Sequence, residues 1–299
     1  MGYNKDMQLF QKKYRVIFMG TPRFAVPSLQ VLLDHPQIEV VGVVTQPDKP
    51  LGRSRTSQPS PVKQLALQHN LIVWTPEKIK HNPDLIATLA KTRPDVIVVA
   101  AYGKLLPQEI LDLPKRGVVN IHGSFLPEYR GASPVVGSIL NGDIFTGVTL
   151  MKMVLAMDAG PIIAKSHSVA IEPTDTTETL TQKLSIEGAE LLHQQLVTYL
   201  EKKLIPLPQN ESLATTVKLI NKEDGQINWN DSAELIERKI RAYQPWPGAQ
   251  TLWQGQRLKL ISGEVTHESP TQIGTVWLTP DNYPAVSTGQ GSLKITGLQ

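Results

Sequence analysis

Five short runs rich in Val and Ile punctuate the first 122 residues: 14–20 (YRVIFMG), 38–45 (IEVVGVVT), 71–74 (LIVW), 95–101 (DVIVVAA) and 118–122 (VVNIH). Helical patterns fill the gaps between them, after the first run through Leu33 and then over 61–69, 83–91 and 107–113. Runs without polar alternation must be buried on both faces, and the intervening helices supply the cover. The pattern predicts an α/β fold with a doubly wound, mostly parallel sheet. Residues 146–153 and 161–171 are predicted to add two antiparallel strands. Residues 176–203 form the longest helical stretch, with Leu180, Leu184, Leu191, Leu192, Leu196 and Leu200 at helical spacing.

Beyond residue 203 the texture changes. Residues 204–214 carry two prolines and little periodicity, which reads as a linker. Short alternating segments follow at 226–229, 249–252, 257–261, 274–278 and 292–295, with a helical piece at 232–243. This predicts a small β-barrel of the OB type, a sandwich being the other arrangement. The expected organisation is a domain over 1–203 (core 14–203), a linker over 204–214 and a β domain over 215–299.

The composition, 40% hydrophobic and 19% charged over 299 residues, is that of a soluble globular protein. No apolar run approaches the ~20 residues of a membrane span, and residues 1–13 lack the apolar segment of a signal peptide. The absence of cysteine excludes disulfides, thiolate metal sites and a Cys nucleophile, and fits a cytoplasmic location. Net charge is +3, with +4 up to Ile205 and −1 beyond, which by itself describes a mixed solvated surface. The first strand ends in Gly20-Thr21-Pro22-Arg23, without the G-x-G-x-x-G fingerprint, and no Walker A motif occurs. Nicotinamide and nucleoside-triphosphate chemistry are disfavoured.

Chemistry concentrates at 118–127 (VVNIHGSFLP). Residues i and i+2 of a strand share a face, so Asn120 and His122 project together at a strand's C-terminal end. An amide donor beside an imidazole suits a developing oxyanion in acyl transfer. Satisfied polar groups at a strand end would look the same. Asp158, in Met157-Asp158-Ala159-Gly160-Pro161, could orient the ring, although Asp before Ala-Gly is also ordinary turn chemistry. The remaining histidines show no ligand spacing, and no metal is expected. The loop 49–63 (KPLGRSRTSQPSPVK) carries Lys49, Arg53, Arg55 and Lys63. It reads either as a solvated loop or as a basic finger for phosphates. Residues 102–107 (YGKLLP) fit a βα turn, the kind that lines a ligand crevice.

Together these segments resemble the methionyl-tRNA formyltransferase family of folate-dependent formyltransferases. Asn120, His122 and Asp158 fit its Asn/His/Asp constellation, and 122–131 (HGSFLPEYRG) is similar to its HxSLLPxxxG element, with Phe125 in place of a usual Leu. Gly20-Thr21-Pro22, 59–63 (PSPVK), Tyr102-Gly103 and Ala132-Ser133-Pro134 also match. Residues 220–229 (INKEDGQINW) and 240–251 (IRAYQPWPGAQT) resemble the C-terminal signature that separates this family from related folate enzymes. The basic loop is sparser than is usual in the family. Relatives also continue with a short basic stretch past the equivalent of Gln299, so a further terminal segment is expected.

The resemblance implies a Rossmann-like catalytic domain and transfer of formyl from 10-formyltetrahydrofolate to the α-amino group of initiator methionyl-tRNA. It implies Asn120, His122 and Asp158 as catalytic residues. It places the folate against Tyr102, Gly103, Lys104, Leu105 and Leu106, with Ser124, Phe125, Leu126, Pro127 and Met153 completing the pocket. Lys49, Arg53, Arg55 and Lys63 become candidates for gripping tRNA. A monomer without a membrane partner is expected. The rivals are a folate enzyme acting on a nucleotide-sugar amine or another small amine, a formyl-folate hydrolase, and a tRNA-binding protein with a retired site.

Overall fold

A computed structural model describes residues 13–50, 57–268 and 272–299. Its contacts divide the chain into two compact units. The first comprises the chain up to Pro127, Val148–His167 and Leu184–Ser212; the second comprises Glu128–Gly147, Ser168–Lys183 and Leu213–Gln299.

The first unit is built on seven strands: β1 (Tyr14–Gly20), β2 (Ile38–Val44), β3 (Val73–Trp74), β4 (Val96–Ala100), β5 (Val118–His122), β6 (Thr149–Lys152) and β7 (Ile162–Lys165). Their order is β7-β6-β5-β4-β1-β2-β3. The five strands from β3 to β5 pair in parallel, and β6 and β7 join antiparallel. Val16, Ile17, Phe18 and Met19 of β1 are all fully buried, which is why the run carries no polar alternation.

Five helices accompany this sheet: α1 (Val26–Asp34), α2 (Pro61–Gln68), α3 (Pro83–Lys91), α4 (Gln108–Leu111) and α5 (Thr177–Leu200), whose C-terminal portion belongs to this unit. Ser60 and Asn82 cap α2 and α3 by accepting from the Lys63 and Leu85 N–H groups. Ile17, Met19, Ile97, Val99 and Val118 share one face, packed with Leu85 and Leu89 of α3, Ile110 of α4, and Tyr102. On the other face, α5 lies so close that a Cβ on Gly188 would come within 2.9 Å of Ile121. The sheet is thus covered on both sides, as the sequence predicted.

In the second unit, β8 (Ala249–Trp253), β9 (Gln256–Thr266), β10 (Val276–Leu278), β11 (Pro284–Ser287) and β12 (Ser292–Leu298) form an antiparallel sheet of order β8-β9-β12-β11-β10. Ile236 and Ile240 of α6 (Ala233–Ala242) enter its core with Leu260, Val286, Leu293 and Ile295. No pairing closes β8 onto β10 among the described residues. The same unit holds the helix Pro134–Asn141 and two short ladders, Arg130–Gly131 with Thr216–Val217 and Phe145–Thr146 with Val169–Ala170.

Three local expectations change. The strands predicted at 146–153 and 161–171 are each interrupted, so that 149–152 and 162–165 pair in one ladder and 145–146 and 169–170 in another. Residues 226–229 are not a strand and contribute one bridge, Gln226 to Gln250. The Asn221–Asp224 capping box and the Asn228 side chain, which accepts from the Asn230 N–H at 3.2 Å, turn the backbone there instead. Strand β11 was missed because it is short and opens on Pro284, which is tolerated at a strand's first position.

Candidate active site

The parallel order reverses direction between β1 and β4, so the turns after these strands flank the crevice where doubly wound sheets bind ligands. One carbonyl ties them together. Tyr102 O accepts from Thr21 Oγ1 at 3.1 Å and from Gln46 Nε2 at 2.9 Å, which joins the turn after β4 to the ends of β1 and β2.

Next along the sheet, β5 presents Asn120 and His122 on the same face as Val118. Asn120 is half-buried and His122 is 5% exposed. Opposite them run Met151 and Thr149 of β6. The Thr149 hydroxyl donates to Ser124 O at 2.7 Å and accepts from the Leu126 N–H at 3.0 Å, pinning the turn that follows His122.

Asp158 lies on the loop between β6 and β7. That loop leaves beside the start of β5, where the Met153 N–H donates to Val118 O at 2.8 Å. It must therefore double back along the sheet for Asp158 to reach His122. It does so: Asp158 Oδ2 lies 3.8 Å from His122 Nδ1, with the two side chains 15% and 5% exposed. This is ion-pair distance, with room to tighten when a substrate binds.

Three features hold the loop. Asp158 adopts a left-handed backbone, φ 49°, which Asp tolerates better than most residues. Gly160 lies so close to Lys152 O that a Cβ there would sit 1.8 Å away. Gln209 donates from Nε2 to both Asp158 O and Gly160 O, each at 2.7 Å. Neither Gln209 nor Thr149 carried a sequence signal, because their partners lie 49 to 51 and 25 residues away.

The expected folate residues divide by burial. Gly103 and Leu105 are exposed, and Phe125, Pro127 and Met153 are half-buried. Tyr102, Leu106, Ser124 and Leu126 are buried. Lys104 is anchored, its Nζ donating to Pro76 O and Glu77 O at 2.8 and 2.6 Å. Burial pushes the Tyr102 phenol up to about 12, and its Oη has no hydrogen-bond partner among the described residues. The loop carrying Asp158 also exposes Val154, Leu155 and Met157, apolar residues absent from the sequence candidates.

Of the basic-loop candidates, Lys49 is exposed on a two-residue strand that pairs with Ser57–Gln58. Lys63 forms an ion pair with Asp48 at 2.7 Å, which engages its charge. Arg53 and Arg55 lie outside the described residues. No cluster of three or more His, Asp or Glu side chains is placed to hold a metal ion among the described residues.

Fold and site together define a group-transfer enzyme built on a doubly wound sheet. The chain belongs to the formyl transferase family: residues 12–196 match the formyl transferase domain and residues 219–299 the formyl transferase C-terminal domain. It is 47% identical over 287 residues to the methionyl-tRNA formyltransferase of Roseiflexus sp. (strain RS-1), covering 95% of this chain and 87% of that one. To the methionyl-tRNA formyltransferase of Bdellovibrio bacteriovorus it is 44% identical over 291 residues, covering 96% and 91%. The fold matches an N-formyltransferase from Helicobacter canadensis, solved with folinic acid and dTDP-3-aminofucose, with a TM-score of 0.70 at 20% identity over 96% of this chain and all of that one. It also matches HypX from Aquifex aeolicus, solved with tetrahydrofolic acid, with a TM-score of 0.61 at 19% identity, covering 96% of this chain and 44% of that one. No helix among the described residues is long and apolar enough to cross a membrane.

Proposed function

We propose that this enzyme transfers the formyl group of 10-formyltetrahydrofolate to the α-amino group of methionyl initiator tRNA, for the start of protein synthesis in the cytoplasm. The observation that carries the reading is that Asn120 and His122 share one face of β5 and that the loop residue Asp158 approaches His122 to 3.8 Å. The 44–47% identity to enzymes named methionyl-tRNA formyltransferase supports the choice of acceptor.

The formyl folate is a second substrate. It lies against Gly103, Leu105, Phe125, Pro127 and Met153, with Tyr102, Leu106, Ser124 and Leu126 shaping the wall behind and Lys104 fixing the turn. An α-amino group has a pKa near ~8, so a neutral nucleophile is available without a strong base. Its lone pair attacks the formyl carbon and the carbonyl oxygen becomes an oxyanion. The Asn120 amide and the His122 ring donate to that oxygen, with the Asp158 carboxylate orienting the ring. The carbon–N10 bond then breaks, and the proton lost by the amine ends on N10.

Lys49, Arg53, Arg55 and Lys63 contact the acceptor arm, and the chain acts as a monomer. In domain terms, 1–203 is catalytic, 204–214 is the linker, and 215–299 is an OB-like tRNA-binding module whose curled antiparallel sheet suits that role. Losing one oxyanion donor typically costs about 2.7–4 kcal/mol of barrier. His122→Ala should therefore lower kcat by roughly 100-fold or more while tRNA affinity stays within about twofold. Equal losses in turnover and tRNA affinity would refute the catalytic assignment.

A further inference from the structure

A second concave site lies in the first unit at the opposite end of β5. It is a cavity of about 300 Å³. Lys115 and Arg116, just before β5, line it together with Lys152 at the end of β6, Lys202 beyond α5, Tyr199 and Ile205. Six residues of strand separate Arg116 from His122, about 20 Å at ~3.3 Å per residue, so this is not the reacting centre.

Four basic residues line the cavity and no acidic residue does. None of the four forms an ion pair among the described residues. Nearby acids are engaged elsewhere: Glu201 with Lys203 at 2.6 Å, and Asp95 with the Arg15 N–H at 2.9 Å. The backbone is shaped to hold the charges together. Gly117 has φ 76°, and a Cβ there would come within 2.8 Å of Lys152 Cε, so the lysine stem lies across the glycine. Lys202 takes a left-handed backbone, φ 63°, just past the end of α5. Tyr199 donates from Oη to Arg116 O at 2.6 Å and ties the last turn of α5 to the segment entering β5. A favourable interaction with the α5 C-terminus would account for Lys202 alone. It does not account for Lys115, Arg116 and Lys152 facing the same space. Like charges gathered in a concavity repel one another and raise the local concentration of anions.

We propose that this cavity holds backbone phosphate of the bound tRNA, so that the RNA footprint extends to the edge of the sheet opposite the catalytic residues. The proposal rests on the tRNA reading above. Cations on phosphate add affinity and register without reading sequence, and the exposed Ile205 offers an apolar surface to the adjoining ribose.

The test is the K115Q/K152Q/K202Q variant, with initiator-tRNA binding followed against salt concentration. Each lost phosphate contact should flatten the slope of log K against log salt by about 0.9. The expected result is a slope shallower by about 2–3 and binding at least tenfold weaker near physiological salt, with 10-formyltetrahydrofolate binding and thermal midpoint unchanged. Should the triple variant fail to fold, Lys152→Gln alone is expected to flatten the slope by about 0.9. Parallel salt plots for variant and wild type would overturn the proposal. A parallel titration with inorganic phosphate separates the possible sources. Phosphate binding abolished in the variant, with an unchanged tRNA slope, would mark a small-anion site and overturn the RNA assignment. A wild-type protein that binds no tRNA would overturn the functional reading and this proposal together.

Discussion

Replacing Gln209 by Leu removes one side-chain amide that satisfies two backbone carbonyls of the loop carrying Asp158. Both bonds, to Asp158 O and Gly160 O, are 2.7 Å long, and Gln209 is 9% exposed. Each bond contributes about 1 kcal/mol net, and a buried carbonyl left unsatisfied costs about 1–3 kcal/mol more. Asp158 is part-exposed, so water can relieve its carbonyl; Gly160 is buried, so its carbonyl stays orphaned. The sum is about 3–5 kcal/mol, enough to release the loop and let Asp158 leave its position beside His122. We expect the thermal midpoint to fall and single-turnover formyl transfer to slow by roughly 10- to 100-fold, while tRNA affinity holds. Gln209→Glu sharpens the test. Near neutral pH its carboxylate would face two carbonyls with no donor, and it should be at least as damaging as Leu. Acidification to the protonated form would restore one donor and narrow the gap to the wild-type rate at the same pH. A Gln209→Leu enzyme with wild-type rate and stability would refute the claim that this residue positions Asp158.

Two further outcomes follow from the same region. Tyr102→Phe should stabilise the protein by about 1 kcal/mol at neutral pH, because the buried hydroxyl has no partner among the described residues. The folded-state pKa of Tyr102 is raised to about 12 from 10.0, so the wild type keeps its full stability below pH 10 and loses up to about 3 kcal/mol as pH rises towards 12. The Phe variant should lack that component, and denaturant melts across this window would reveal it; parallel pH profiles would contradict it. Gly160→Ala must displace Lys152 O, since its Cβ would lie 1.8 Å away. We expect at least 1–3 kcal/mol of destabilisation and a large loss of kcat, measured by calorimetry and single-turnover kinetics; an unaffected enzyme would mean the loop moves freely.

What the sequence disclosed follows from the range of the interactions involved. The strands 14–20 and 118–122 were legible to the residue because two-sided burial leaves an uninterrupted apolar run. Asn120 and His122 were legible as a pair because a period of two is a local property of a strand. Asp158 was ambiguous for a sound reason: it occupies a turn with a left-handed backbone and also faces His122. Gln209 and Thr149 were invisible, since no local pattern announces a partner tens of residues away. The strand predicted at 226–229 failed because local side-chain hydrogen bonds from Asn and Asp compete with the ladder.

The most direct test of the account is formyl transfer from 10-formyltetrahydrofolate to charged initiator methionyl-tRNA, measured beside charged elongator methionyl-tRNA. The expected result is rapid formylation of the initiator, little of the elongator, and initiator formylation slowed by roughly 100-fold or more with His122→Ala. Formyl-folate consumption in buffer or with a small amine, without transfer to tRNA, would leave the chemistry of Asn120, His122 and Asp158 standing and contradict the assigned substrate.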